Sequence, residues 1–148
     1  IRAAGEGVRI WPCGDEGGDQ SVARLFYRGI IHSRIKKTRN LMPDKIKKIL
    51  RELKKGLVEI FGDQLKAVYL YGSFARGEGR LPDSDIDVMI VLKGEFNYWK
   101  TYERASDLIA DLSLENDVLI SVKLTSEAKY AESQMPLYIN VRREGVPV

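Results

Sequence analysis

Between Asp44 and Gly62 the apolar residues fall at Ile46, Ile49, Leu50, Leu53, Leu57, Ile60 and Phe61. That is the i, i+3, i+4, i+7 spacing of a helix with one buried face. Asp44 is placed to cap its start and Gly62 to end it. Leu65–Tyr71 (LKAVYLY) then reads as a strand, and residues 85–92 (DIDVMIVL) as a second one, rich in β-branched and apolar side chains. Tyr98, Tyr102, Ala105, Ile109 and Leu112 mark a second amphipathic helix over about residues 97–113. Residues 118–124 (VLISVKL) read as a third strand, and Tyr138, Val141 and Arg142, closed by Gly145, as a final short helix over 135–144. The order helix, strand, strand, helix, strand, helix predicts an α/β (α+β) domain. Its small mixed sheet is expected to be covered by helices mainly on one face.

The first 41 residues have a different character. They hold six of the thirteen glycines, and apolar periodicity is weak before Val22. From Val22 to Ile35 a helical pattern over 21–38 is interrupted by Gly29, after an irregular stretch over 1–20. The chain starts with Ile, and Met42 would make a natural beginning, so 1–41 is read as an N-terminal extension and 42–148 as the domain proper. Charge follows the same division: residues 1–41 carry eight Lys/Arg against four Asp/Glu, and the remainder sixteen against seventeen. A domain without basic bias argues against a dedicated nucleic-acid binder. No apolar run approaches the roughly 18 residues of a membrane span, and no signal peptide is evident, so an intracellular, cytoplasmic protein is expected.

One cysteine, Cys13, and one histidine, His32, exclude a disulfide framework, a Cys-rich zinc site and chemistry needing several histidines. Both are read as incidental. Tyr98, Trp99 and Tyr102 are read as core-facing helix residues, and the basic run Arg34–Arg39 as a solvated helix end.

Chemistry concentrates in Tyr71–Gly94, YGSFARGEGRLPDSDIDVMIVLKG. A strand runs into Gly72 and Ser73, where a glycine lets backbone approach a phosphate and a helix start offers free N–H groups. The Ser73 hydroxyl adds a donor. Asp85 and Asp87 then open the next strand. Residues i and i+2 of a strand share a face, roughly 6.5–7 Å apart at Cα, so the two carboxylates can hold a hard divalent cation. Ile86, Val88, Ile90 and Leu92 take the opposite face and serve the core.

Gly-Ser, an eleven-residue spacer (residues 74–84) and Asp-x-Asp together resemble the minimal nucleotidyltransferases of the DNA polymerase β superfamily, whose spacer is usually ten. The resemblance covers roughly residues 44–145. It implies the nucleotidyltransferase fold and transfer of a nucleoside monophosphate from an NTP, with ATP the expected donor, to an acceptor hydroxyl. Gly72 and Ser73 would contact the phosphates, Arg76 would add a cation beside them, and Asp85 and Asp87 would ligate Mg²⁺ or Mn²⁺. The family brings a third carboxylate as metal ligand and general base from a later strand. Asp117 at the head of VLISVKL is the candidate, unless the position lies further along, where Ser121 stands. Stand-alone domains of this kind resemble the antitoxin halves of two-component systems, whose partner is a small helical HEPN protein and some of which transfer AMP to a tyrosine of it. An active enzyme and a catalytically silent antitoxin module are both consistent with that resemblance. Self-association is left open.

Overall fold

The structure, a computed structural model, describes residues 42–148; the readings made for the extension, including the helix over 21–38, lie outside the described residues. Helix α1 (Asp44–Phe61) forms where the periodicity places it and buries Ile46, Ile49, Leu50, Leu53, Leu57 and Phe61. Its cap differs from expectation. The Pro43 carbonyl accepts the Lys47 N–H at 3.1 Å, so the helix register starts one residue earlier. Asp44 therefore sits in the first turn, where its charge meets the positive end of the dipole and Lys47 Nζ at 3.0 Å. Gly62 follows the last turn, as expected.

A short 3₁₀ turn (Gly62–Gln64) leads into β1 (Leu65–Tyr71), followed by α2 (Gly72–Arg76), β2 (Ile86–Leu92), α3 (Tyr98–Asn116), β3 (Ile120–Ser126), α4 (Glu127–Glu132), α5 (Pro136–Glu144) and β4 (Val146–Pro147). The sheet order is β3-β2-β1-β4. β2 runs antiparallel to β1 and parallel to β3, with α3 as the crossover that a parallel pair requires.

The alternation of β2 divides its side chains between two layers. Ile86, Val88, Ile90 and Leu92 join Val68 and Leu70 of β1 under α1 and α3, forming the main core. Met89 and Val91 face the other way, into a smaller cluster with Tyr138 and Val141 of α5. The two long helices thus cover one face, and the short α4 and α5 close over part of the other. Covering on both sides explains why β2 is an almost unbroken apolar run.

Two elements escaped the sequence pattern. α4 has only six residues and starts where the Ser126 Oγ accepts the Lys129 N–H at 3.3 Å. β4 pairs only Pro147 with Tyr69 and Val146 with Leu70, which is too short for any periodicity.

The C-terminal end of α3 also departs from expectation. The helix continues to Asn116, and Asp117 follows in the left-handed conformation (φ 49°, ψ 54°). The Asp117 N–H bonds the Leu114 carbonyl at 3.3 Å and the Val118 N–H bonds that of Ser113 at 3.1 Å. This reciprocal pair is a Schellman closure with aspartate at the position glycine usually fills. It consumes Val118, so the third strand begins at Ile120 rather than at residue 118. Trp99 also differs from its reading: Tyr98 and Tyr102 pack against the core, whereas Trp99, one residue and about 100° further round the helix, is 76% exposed.

Candidate functional site

Asp87 is the centre of the site. It belongs to the β2 face opposite the main core, with Tyr71 of β1 as its antiparallel partner and Ser121 of β3 as its parallel one. Asp85 lies just before the strand and is exposed, while Asp87 is half-buried. Burial, and secondly the neighbouring Asp85 charge, push the Asp87 carboxyl above the ordinary carboxylate range; the Arg76 guanidinium pulls the other way. Two close acids, one withdrawn from water, are costly while both are charged. A divalent cation between them relieves that cost, and two carboxylates suit hard Mg²⁺ or Mn²⁺ with oxygen ligands.

Gly72 meets Asp87 directly. It has φ +73°, and a Cβ added there would strike the Asp87 carboxylate oxygen and lie 3.1 Å from its Cγ. The Gly-Ser turn and the acid pair, read from the sequence as two separate signals, are therefore one packed unit. Gly72 and Ser73 open α2, whose start has no side-chain cap. Phe74 and Ala75 anchor α2 in the main core. The spacer folds back over this anchor: the Glu78 and Gly79 N–H groups bond the Ser73 carbonyl at 2.9 and 3.1 Å, and a Cβ at Gly79 would run into the Phe74 ring. At its far end the Arg80 N–H bonds the Ser84 Oγ at 3.0 Å and the Ser84 N–H bonds the Arg80 carbonyl at 2.8 Å. That closed turn delivers Asp85 to the strand.

Arg76 is exposed, and its Nε donates to the Glu78 carboxylate at 2.9 Å. Its charge acts on Asp87, but the guanidinium is engaged by Glu78, in an exposed pair for which phosphate oxygens could compete. Tyr71 is the β1 residue paired with Asp87. Burial first, then the Asp87 charge and the Tyr98 and Tyr138 hydroxyls, raise its phenol above the usual value and keep it a hydrogen-bond donor.

Asp117 is exposed at the end of α3, three residues ahead of β3. The β3 residue in register with Asp87 is Ser121. Among the described residues, no group of three His, Cys, Asp or Glu side chains is gathered to hold a metal. The expectation that Asp117 heads the third strand is corrected: the strand starts at Ile120, and Asp117 closes α3. Its backbone is taken up by the helix closure, and the third position along the sheet carries a hydroxyl.

Two residues of this face had no role in the sequence reading. Tyr71 was hidden by its place in an apolar strand. Lys123 follows Ser121 on the same side of β3, beside Met89, with its Nζ over the Tyr98 ring at 5.5 Å from the centroid. The alternation of VLISVKL held the signal for Lys123, once the strand register was known. A separate apolar pocket between α1 and β4, lined by Leu50, Leu70 and Val146 among others, shares no lining residue with the carboxylate site.

The nucleotidyltransferase domain family matches residues 44–142. Two Methanocaldococcus jannaschii proteins named "Putative protein adenylyltransferase" (MJ0141 and MJ0604) are similar to this chain. The first is 38% identical over 73 residues, covering 49% of this chain and 72% of that protein. The second is 30% identical over 99 residues, covering 66% of this chain and 92% of that protein. A solved structure from Sulfolobus solfataricus, described as a "putative nucleotidyltransferase", covers 77% of this chain and 85% of its own at 22% identity and a TM-score of 0.45. A variant of the toxin-antitoxin complex MntA-HpeT covers 63% and 67% at 19% identity and a TM-score of 0.44. Among the described residues no helix is long and apolar enough to cross a membrane.

Proposed function

The chain belongs to the nucleotidyltransferase domain family, and from that premise we propose that it moves AMP from ATP to a hydroxyl of an acceptor protein in a Mg²⁺-dependent reaction. The observation that carries the proposal is the seating of Asp87 against Gly72, which joins a phosphate-binding turn to a cation-binding pair. The names of the two similar M. jannaschii proteins favour a protein acceptor and adenylyl as the group moved.

In this reading Asp85 and Asp87 hold Mg²⁺, with Mn²⁺ as a substitute, and Gly72 and Ser73 receive the nucleotide phosphates. Arg76 joins them by exchanging Glu78 for phosphate. The metal supplies charge neutralisation and in-line positioning, which dominate phosphoryl-type transfers. The acceptor hydroxyl oxygen bonds to the α-phosphorus. The bond to the bridging oxygen breaks, its electron pair leaves on pyrophosphate, and the hydroxyl proton goes to solvent. The acceptor is assigned to a partner protein, a tyrosine of a small helical HEPN-type protein being the form that the family resemblance implies.

A second reading has a specific observation behind it. Ser121 is the β3 residue in register with Asp87; if the third-acid position falls there, a serine hydroxyl is too weak a general base for that role. The domain would then bind nucleotide and its helical partner as a silent antitoxin module. ATP labelled in the α-phosphate, incubated with Mg²⁺, the protein and its co-purified partner, separates the two. Label on the partner that disappears in the Asp85→Asn, Asp87→Asn variant supports transfer. Binding of ATP and partner without label supports the module.

A further inference from the structure

The acceptor side of the site differs in chemistry from its phosphate side. Gly72 and Ser73 approach Asp87 from β1, whereas β3 lies on the opposite flank of β2. On that flank the register places Ser121 beside Asp87 and Lys123 one side-chain repeat further along, both on the carboxylate face, because Ile120 and Leu124 fill the main core. Strand spacings put the Cα atoms of Lys123 and Asp87 about 8 Å apart. A long, flexible lysine spans such a gap. Lys123 is half-buried and pairs with no carboxylate among the described residues. Among the described residues its ammonium lies over the Tyr98 ring, a cation–π interaction weak enough for a phosphate oxygen to displace.

From this placement we infer that the site works with a single divalent cation, and that the Lys123 ammonium supplies on the β3 side the positive charge a second ion would otherwise bring. Two carboxylates furnish donors for one cation. A second ion on the acceptor flank would find a serine hydroxyl where it needs a carboxylate ligand. The α-phosphoryl oxygens gather charge as the acceptor hydroxyl attacks, and an ammonium on this flank reaches them without any further protein ligand. Lys123 is thereby a substrate-binding residue, and Ser121 is the small neighbour that leaves it room. This inference rests on the nucleotidyltransferase reading proposed above.

Mn²⁺ counted by electron paramagnetic resonance, in the presence of an ATP analogue whose α–β bridge cannot be cleaved, tests it. The full chain should take up one Mn²⁺ per molecule. Ser121→Asp should raise the number to two, because it completes a three-carboxylate set beside Asp87, and Asp117→Asn should leave it at one. Lys123→Met should weaken binding of the analogue about tenfold or more, the scale of one lost charge-assisted hydrogen bond, and Lys123→Arg should stay within about threefold of the parent. Thermal melting separates a folding defect from a binding one, and Ser121→Asp reads the geometry independently of Lys123. Two Mn²⁺ in the parent protein, an unchanged count in Ser121→Asp, or parent-like affinity in Lys123→Met overturns the inference. Failure of the parent to bind the analogue with any metal is a different result, and removes the nucleotidyltransferase reading itself.

Discussion

Replacing Gly72 by alanine perturbs two things at once, and a second glycine separates them. Gly72 (φ +73°) and Gly94 (φ +71°) share nearly the same positive φ, but a Cβ on Gly94 meets nothing within 4 Å, whereas one on Gly72 runs into the Asp87 carboxylate. The backbone term for alanine in this region is about 1–2 kcal/mol and is common to both. Gly72→Ala adds displacement of Asp87 from its rotamer, about 0.5–1.5 kcal/mol. Asp87 is held between β1 and β3 and the turn is anchored by buried Phe74, so neither side gives way freely. The sum for Gly72→Ala is about 2–3 kcal/mol, or roughly 10 °C in melting temperature for a domain of this size. Gly94→Ala should lose about half of that.

The decisive contrast is in metal binding. Gly94→Ala should bind Mn²⁺ like the parent, while Gly72→Ala should bind at least tenfold more weakly because a ligand has moved. Differential scanning fluorimetry and Mn²⁺ calorimetry on the three proteins check both effects. Equal metal affinity in all three would show that Asp87 does not need its seat on Gly72, and the account of the site as one packed unit would be wrong.

Asp87→Asn should stabilise the metal-free protein at neutral pH, because it removes a charge that burial first, and the neighbouring Asp85 second, make costly. The folded-state pKa of Asp87 is raised, so the native state holds its proton more readily than the unfolded one. The stability this confers is full below the ordinary carboxylate pKa and is lost as pH rises through the raised value; the gain of the variant should therefore vanish in acid. Denaturant titrations at several pH values measure it, and saturating Mg²⁺ should stabilise the parent but not the variant. Asp117→Gly should raise stability by up to about 1 kcal/mol by relieving a left-handed aspartate, with nucleotide binding unchanged. A loss of nucleotide binding there would return Asp117 to the site.

What the sequence revealed follows from which signals are local. The α1 and α3 faces are periodic over many turns, and β2 is a compact β-branched apolar run, so their positions were readable. The contact of Asp87 with Gly72 was not readable, because it depends on the pairing of Tyr71 with Asp87, which no spacing states. The errors cluster where the cap chemistry decides. Pro43 took the capping place assigned to Asp44. Aspartate at 117 closed a helix in the way glycine usually does and moved the start of β3 by two residues. Which β3 residue lies beside Asp87 is a matter of register, and the register places Ser121 there. Lys123 stayed silent for the same reason: its meaning is a matter of register between strands, not of sequence.

The central claim is that Asp85 and Asp87, seated on the Gly72–Ser73 turn, hold a metal-bound nucleotide. Calorimetry of ATP with Mg²⁺ on the full chain and on its Asp85→Asn, Asp87→Asn variant tests it most directly. The account predicts saturable, metal-dependent binding to the parent and its loss in a variant that remains folded. Unchanged ATP affinity in that variant would contradict it.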